Sequence, residues 1–160
     1  MESTAAKTTN DILLDVKDLN IRFKTKKGYV NAVEHLDFHV KKGELLALVG
    51  ESGCGKSVTS LAVMDLIERP GEVKAEHMVL DGKDLTTIPP KVKRKMRGTE
   101  MAMIFQDPLT SLNPLYTIGN QLSEQFLTHI PGCTKHQAKE KSIEIIRKTG
   151  IPRPEAVYKS

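Results

Sequence analysis

Apolar and polar positions alternate along the first 40 residues of the chain. Leu13, Leu14, Val16, Leu19, Ile21 and Phe23 form a β-like stretch, interrupted by Lys17-Asp18 and closed by the basic turn Lys24-Thr25-Lys26-Lys27-Gly28. Residues 29–33 and 36–40 keep the same period and predict a second strand pair, after which Lys41-Lys42-Gly43-Glu44 turns the chain. At Leu45 the pattern changes. Leu45, Leu46, Ala47, Leu48 and Val49 form one apolar run without alternation, as in a strand buried on both faces of a parallel sheet. The run breaks at Gly50, and Val58, Leu61, Ala62, Met64 and Leu66 then recur on one helical face that ends at Arg69-Pro70-Gly71.

Further on, residues 73–80 predict a strand turned at Asp81-Gly82, and Pro89-Pro90 start a short basic helix over 91–97 with an exposed face. The apolar run 101–105 predicts another buried strand. After a loop containing Asn113-Pro114, one helix is expected over about 118–130, with Ile118, Leu122 and Phe126 on one face. A second is expected over about 135–149, with Ala138, Ile145 and Ile146 on one face and Gly150 and Pro152 as its stop. Residues 1–10 are polar and small, and a disordered terminus is expected there. Antiparallel strands followed by a parallel unit make this an α/β chain.

The junction at Gly50 carries the most specific chemistry. Gly50-Glu51-Ser52-Gly53-Cys54-Gly55-Lys56-Ser57 has the order Gly, four residues, Gly-Lys-Ser, between a predicted strand and a predicted helix. Gly50, Gly53 and Gly55 let the backbone turn so that successive N–H groups converge on phosphate oxygens. Lys56 brings a compact cation to the β and γ phosphates, Ser57 offers a hydroxyl oxygen to Mg²⁺, and the helix entered through Val58 points its positive end at the same anion. A nucleoside triphosphate is the expected ligand.

Composition narrows the alternatives. The 160 residues, 39% of them hydrophobic, allow one core and one domain with at most a small appendage. The net charge of +4 would suit an anionic partner, but it is spread over short runs, and at 4% aromatics there is little for bases to stack on. A nucleic-acid partner is therefore not expected. Met1-Glu2-Ser3-Thr4 shows neither a basic nor an apolar leader region, and no apolar run approaches ~20 residues, so a cytoplasmic protein is expected. Cys54 and Cys133 are too few for a disulfide framework and lack metal-ligand spacing. Cys54 lies inside the glycine loop, where alkylation would block a nucleotide.

Three landmarks in fixed order carry a family resemblance: Lys42-Gly43-Glu44, the loop from Gly50 to Ser57, and Phe105-Gln106-Asp107-Pro108. Together they resemble the ATP-binding subunit of an ABC transporter, with the loop as its Walker A motif and Gln106 in its Q-loop. The run Ala102-Met103-Ile104-Phe105-Gln106-Asp107-Pro108-Leu109-Thr110-Ser111-Leu112-Asn113-Pro114 is similar to the peptide and nickel importer branch, nearest to dipeptide and oligopeptide permease ATP-binding subunits. The resemblance spans nearly everything from Leu13 onward. It implies a P-loop NTPase fold of the ABC type, with N-terminal antiparallel strands, an incomplete parallel core sheet and the start of a helical subdomain, over 11–160.

For the site, the resemblance implies ATP and Mg²⁺ as cofactors. Phe23 would stack on adenine, its alternative being a core aromatic. Gln106 would reach Mg²⁺ and the attacking water, its alternative being a polar cap at a strand end. Val58, Cys54, Ser52 and Glu51 complete the nucleotide contacts around the loop. The implied partners are integral membrane permease subunits, met near 107–120, and a second ATP-binding subunit, on the inner face of the cell membrane.

Against the family pattern, the 160 residues contain no Leu-Ser-Gly-Gly-Gln signature, no Walker B strand with its Asp and Glu, and no switch His. A truncated product with a gap in its parallel sheet and no hydrolysis of its own is therefore expected. The alternatives are an inactive fragment that docks on the permease without turnover, a soluble ABC ATPase of DNA maintenance, and a kinase or GTPase. The Asp-Pro-Leu-Thr-Ser-Leu-Asn-Pro run disfavours the soluble ATPase, and the antiparallel strands before the loop disfavour the kinase or GTPase.

Overall fold

The computed structural model describes residues 11–106 and 111–160, in two compact units, one up to Arg97 and one from Gly98. The expected disorder of residues 1–10 lies outside the described residues.

The first unit is built on a hairpin. Strands β1 (Ile12–Thr25) and β2 (Gly28–Lys41) pair antiparallel along their whole length, joined by the two-residue turn Lys26-Lys27. Gly28 takes φ +120°, and the Thr25 hydroxyl donates to its carbonyl at 2.9 Å. The two segments expected at 29–33 and 36–40 are thus one strand, which absorbs its irregularity at His35 (φ +49°). Facing it, Lys17-Asp18 bends β1 without ending it, with Asp18 at φ +51°. The bends are tied together: His35 Nδ1 lies 2.6 Å from the Asp18 carboxylate, and the His35 N–H donates to Asn20 Oδ1 at 3.0 Å.

On the other side of β1 the predicted strand 73–80 divides into β3 (Gly71–Lys74) and β4 (His77–Leu80), each antiparallel to one half of β1. The bend at Asp18 explains the division, because a single straight strand cannot follow both halves. The short β5 (Lys83–Asp84) extends the sheet to the order β2-β1-β4-β5. Val16, Leu19, Ile21, Val33, Met78, Leu80 and Leu85 are buried, with Ala62 and Met64 from the α1 region (Lys56–Val63) and Met96 of α2 (Pro90–Met96). Not all of the basic run is an exposed face: Lys93 pairs with Asp65 at 3.1 Å, and Arg97 donates to the Met64 carbonyl at 3.0 Å. Both side chains clamp the end of α1.

Two predicted strands are not strands. Residues 45–49 carry no ladder to any described residue, and Leu45 and Val49 are 94% and 91% exposed. Residues 102–105 are likewise unpaired, with Ile104 98% exposed. A strand exists through its neighbours, and no described strand runs beside either segment.

The second unit packs α3 (Ile118–His129), α4 (Lys135–Lys148) and α5 (Pro154–Lys159) together. Thr117 caps α3 by accepting from the Asn120 N–H, and Thr134 with Gln137 forms a reciprocal capping box on α4. The α4 face toward its neighbours is Ala138, Ser142 and Ile146, while Ile145 is exposed. Ser142 escaped an apolar pattern because its hydroxyl is satisfied internally: it donates to the Ala138 carbonyl at 2.7 Å and meets Ser123 Oγ at 3.3 Å, which in turn meets Tyr158 Oη at 2.9 Å. Helix α5, opened by Pro154, was not foreseen; it lays Tyr158 against Gly119 of α3.

The Asp18–His35 pair makes a titration testable. The carboxylate holds the His35 pKa above the ordinary histidine value, and His35 and Asn20 hold that of Asp18 below its own. The pair's contribution is fully present between about pH 3.9 and about pH 6.5; it is lost as pH rises through the raised His35 value and as pH falls through the lowered Asp18 value. Both side chains are largely exposed, so the effect on stability is small. An NMR titration of the His35 ring should give a midpoint above about 6.5 that falls back in Asp18→Asn. An unchanged midpoint would remove the pair.

Candidate functional site: a glycine loop on the face of a hairpin

The loop runs from Gly50 into α1, and its shape follows from its glycines. Gly53 and Gly55 take φ +84° and +93°, in the left-handed region open to glycine. Gly55 is buried because the loop rests on β2: a Cβ there would stand 2.7 Å from the Ala32 carbonyl oxygen and 2.8 Å from Val33 Cγ2. A Cβ on Gly50 would meet Cys54 Sγ at 2.6 Å. At Gly55 the approach is to backbone and admits no side chain, whereas at Gly50 only the exposed Cys54 thiol would have to turn away.

Lys56 folds back over the loop. Its ammonium donates to the carbonyls of Gly50 at 2.7 Å and Glu51 at 2.6 Å, and lies 3.4 Å from Cys54 Sγ. A single point charge thus sits within the curve formed by residues 50–55, where an anion would share it. Glu51, Ser52, Gly53 and Cys54 line the outside of the curve and are exposed. Helix α1 starts at Lys56 with no side-chain cap and no acidic residue in its first turn, so among the described residues no side chain caps the N–H groups an anion would meet there. Ser57 is exposed on that turn, and Val58 is half-buried behind it. Thr59 holds the exit: its N–H and hydroxyl both donate to the Gly55 carbonyl, at 2.8 and 2.9 Å.

These residues fit a nucleotide phosphate with Mg²⁺. The cradle is one that a Cβ would fill, the cation is in place, and Ser57 presents one hydroxyl oxygen. That is enough for a metal held largely by phosphate and water. Among the described residues no group of three or more His, Cys, Asp or Glu side chains could hold a metal by itself.

The hairpin decides which side chains accompany the loop. Val33 faces Gly55 and pairs with Ile21, while Phe23 stands two residues along β1 and pairs with Val30. Alternation along β1 puts Ile21 and Phe23 on one face, so Phe23 and Val30 share the face that carries the loop. The register shift between Ile21 and Arg22 makes this possible, because simple alternation along β2 would have turned Val30 away from Val33. Phe23 is half-buried, with its ring edge over Gly71 across the β1–β3 pair. Val30, 56% exposed beside it, was not singled out from sequence; the bulge that aims it leaves no mark in the residue pattern. On the opposite face Arg22 stacks 4.3 Å over the Tyr29 ring and pairs with Glu72.

The lead-in Lys42-Gly43-Glu44 has a local structural task. Gly43 takes φ +76°, and the Glu44 carboxylate accepts from the Lys41 N–H at 2.6 Å, closing the turn that delivers the chain to the loop. Gln106 belongs to the second unit and is exposed; no strand precedes it, so it caps none. Asp107, Pro108, Leu109 and Thr110 lie outside the described residues.

Alkylation offers a direct probe of the loop. Cys54 is exposed and in contact with Lys56, so N-ethylmaleimide should modify it and abolish Mg-ATP binding in a Cys133→Ser background. Bound Mg-ATP should slow the modification. Equal labelling rates with and without Mg-ATP would place the nucleotide elsewhere.

Comparison with known proteins gives one answer. A family model described as ABC transporter matches residues 33–158. Dipeptide transport ATP-binding protein DppD of Haemophilus influenzae is 49% identical over 144 residues, covering 90% of this chain and 43% of that protein. Oligopeptide transport ATP-binding protein OppD of Bacillus subtilis is 49% identical over 144 residues, covering 89% and 40%. The chain spans about two-fifths of the length of these curated relatives. Among solved structures, MJ0796, a bacterial ABC transporter cassette in a dimeric structure, superposes with a TM-score of 0.75 at 18% identity, over 91% of this chain and 61% of that one. A post-hydrolysis dimer of MJ0796 bound to ADP and Pi gives 0.73. The fold is thus that of an α/β P-loop NTPase, with an N-terminal antiparallel sheet followed by a helical subdomain.

Proposed function

The chain belongs to the ABC transporter family, and on that premise we propose that it is the ATP-binding portion of a peptide importer's ATPase subunit. The observation that supports this best is Lys56, held by two loop carbonyls inside a curve that rests on β2 at Gly55, where no side chain fits. The importer assignment rests on the likeness to dipeptide and oligopeptide transport ATP-binding proteins.

The loop residues would divide the work as follows. Backbone N–H groups from 51 to 57 converge on the phosphates, and Lys56 exchanges its carbonyl partners for phosphate oxygens. Ser57 would hold Mg²⁺, which when bound neutralises charge on the β and γ phosphates. Phe23 and Val30 offer an apolar surface to the base on the face where Gly55 rests. Gln106 would orient water at the γ-phosphate. Turnover further requires a group that orients the nucleophile and charges that stabilise the transition state.

The proposed partners are membrane-embedded permease subunits, met through the segment around 107–120, and a second ATP-binding subunit, at the inner face of the cell membrane. No helix among the described residues is long and apolar enough to cross a membrane. Trinitrophenyl-ATP titration with Mg²⁺, competed by ATP and by GTP, tests the ligand: displacement by ATP supports the reading, and absence of binding sinks it.

A further inference from the structure

Phe23 shares one rung of the sheet with Gly71, which faces it across the antiparallel β1–β3 pair. A Cβ on Gly71 would stand 2.9 Å from Phe23 Cε1, 2.9 Å from the Glu68 carbonyl oxygen and 2.5 Å from Ile67 Cγ2. The ring therefore lies over the space a side chain would fill, beside the turn that leads from Ile67 into β3. Gly71 is not among the left-handed residues, so glycine stands there for room and not for backbone conformation. The turn is tied down on both sides: the Gly71 N–H donates to the Glu68 carbonyl at 2.9 Å, and the Lys24 N–H donates to the Pro70 carbonyl at 3.3 Å. On the opposite face the neighbouring rung is locked as well. Arg22 Nε and Nη2 reach one Glu72 carboxylate oxygen at 2.8 and 2.6 Å, and the Tyr29 hydroxyl donates to the other at 3.2 Å.

We infer that Gly71 is a positioning residue for the base: it sets where the Phe23 ring stands, and the Arg22–Glu72 pair keeps it in register with that ring. The inference rests on the nucleotide reading above, in which Phe23 offers its surface to the base. An aromatic ring over a cross-strand glycine gains cover for both residues. Here it also fixes the ring's position, which stacking is sensitive to, because a gap of about 0.5–1 Å forfeits a quarter to a half of the dispersion attraction. A methyl group at residue 71 could not displace the Glu68 carbonyl, which is backbone and bonded to the Gly71 N–H, so the Phe23 ring and Ile67 would have to give way. The glycine loop shares none of these contacts. Gly55 rests on Ala32 and Val33 of β2, on the other side of β1 from β3. Moving the ring therefore loosens the hold on the base and leaves the phosphate cradle as it is.

Isothermal titration calorimetry of the full chain with Mg-ATP and with magnesium tripolyphosphate, a phosphate chain without sugar or base, tests the inference. Gly71→Ala should weaken ATP binding roughly fivefold and tripolyphosphate binding not at all, while Phe23→Ala should weaken ATP binding about tenfold, within the range for removing an aromatic from beneath a base. The double variant should bind ATP no more weakly than Phe23→Ala alone, because Gly71 acts through the ring. Glu72→Gln adds no volume and keeps the test open should Gly71→Ala fail to fold. It should weaken ATP binding about twofold, as expected for a half-exposed ion pair, and again spare tripolyphosphate. Additive losses in the double variant, an equal loss for tripolyphosphate, or unchanged ATP affinity in Gly71→Ala, Glu72→Gln or Phe23→Ala would each overturn the inference. Any of these results with a wild-type chain that binds Mg-ATP would leave the nucleotide reading standing; a wild-type chain that binds neither ligand would remove both.

Discussion

Lys56→Ala should weaken Mg-ATP binding about a hundredfold, equivalent to ~2.7 kcal/mol. The ammonium is the one side-chain cation bonded inside the loop among the described residues, and charge-assisted bonds to phosphate are roughly twice as strong as neutral ones. The substitution also frees the carbonyls of Gly50 and Glu51, so the loop would lose its internal tie as well as its charge. Lys56→Arg should recover little, because a planar fork cannot replace a compact ammonium between two carbonyls 2.6 and 2.7 Å away. The hairpin that supports the loop does not involve this side chain, so the circular dichroism spectrum should be unchanged. Equal affinity of wild type and variant would show that the lysine's place in the loop has nothing to do with phosphate.

Gly119→Val should destabilise the second unit by roughly 2–3 kcal/mol, the upper part of the range for overpacking a close contact. Gly119 is buried in the first turn of α3, where a Cβ would overlap the Tyr158 carbonyl oxygen and stand 2.6 Å from Tyr158 Cζ. The ring could yield, but the carbonyl cannot, since it belongs to the backbone of α5. Separation of α5 from α3 would also break the bond from the Ile118 N–H to the Ser160 carbonyl and leave Ser123 without Tyr158. Hydrogen exchange should then rise across 118–129 and 154–159 while β1 and β2 keep their protection. Unaltered exchange in α3 would show that the contact is slack.

The sequence was most legible where structure is local. Alternation located the hairpin, a 3.6-residue period located α1, α3 and α4, and Gly50 to Ser57 announced the loop through the residues its geometry demands. Legibility failed where a neighbour decides. The run at 45–49 reads as a buried strand because its residues are those of one, but no described strand pairs with it. Ser142 could not be read as core because its burial depends on acceptors supplied by its own helix and on Ser123. Val30 owes its place beside Phe23 to a bulge that composition does not encode.

The hairpin also has a consequence in time. Its two strands are adjacent in sequence and joined by two residues, so their pairing requires closure of only a short loop, an event of about 1–10 μs for an isolated hairpin. Val33 and the Ala32 carbonyl, the floor on which Gly55 rests, are paired through contacts local in sequence. During synthesis at about 5–20 residues per second, that floor has emerged before the glycine loop has. The glycine loop thus follows, in the order of synthesis, the two strands on which it rests.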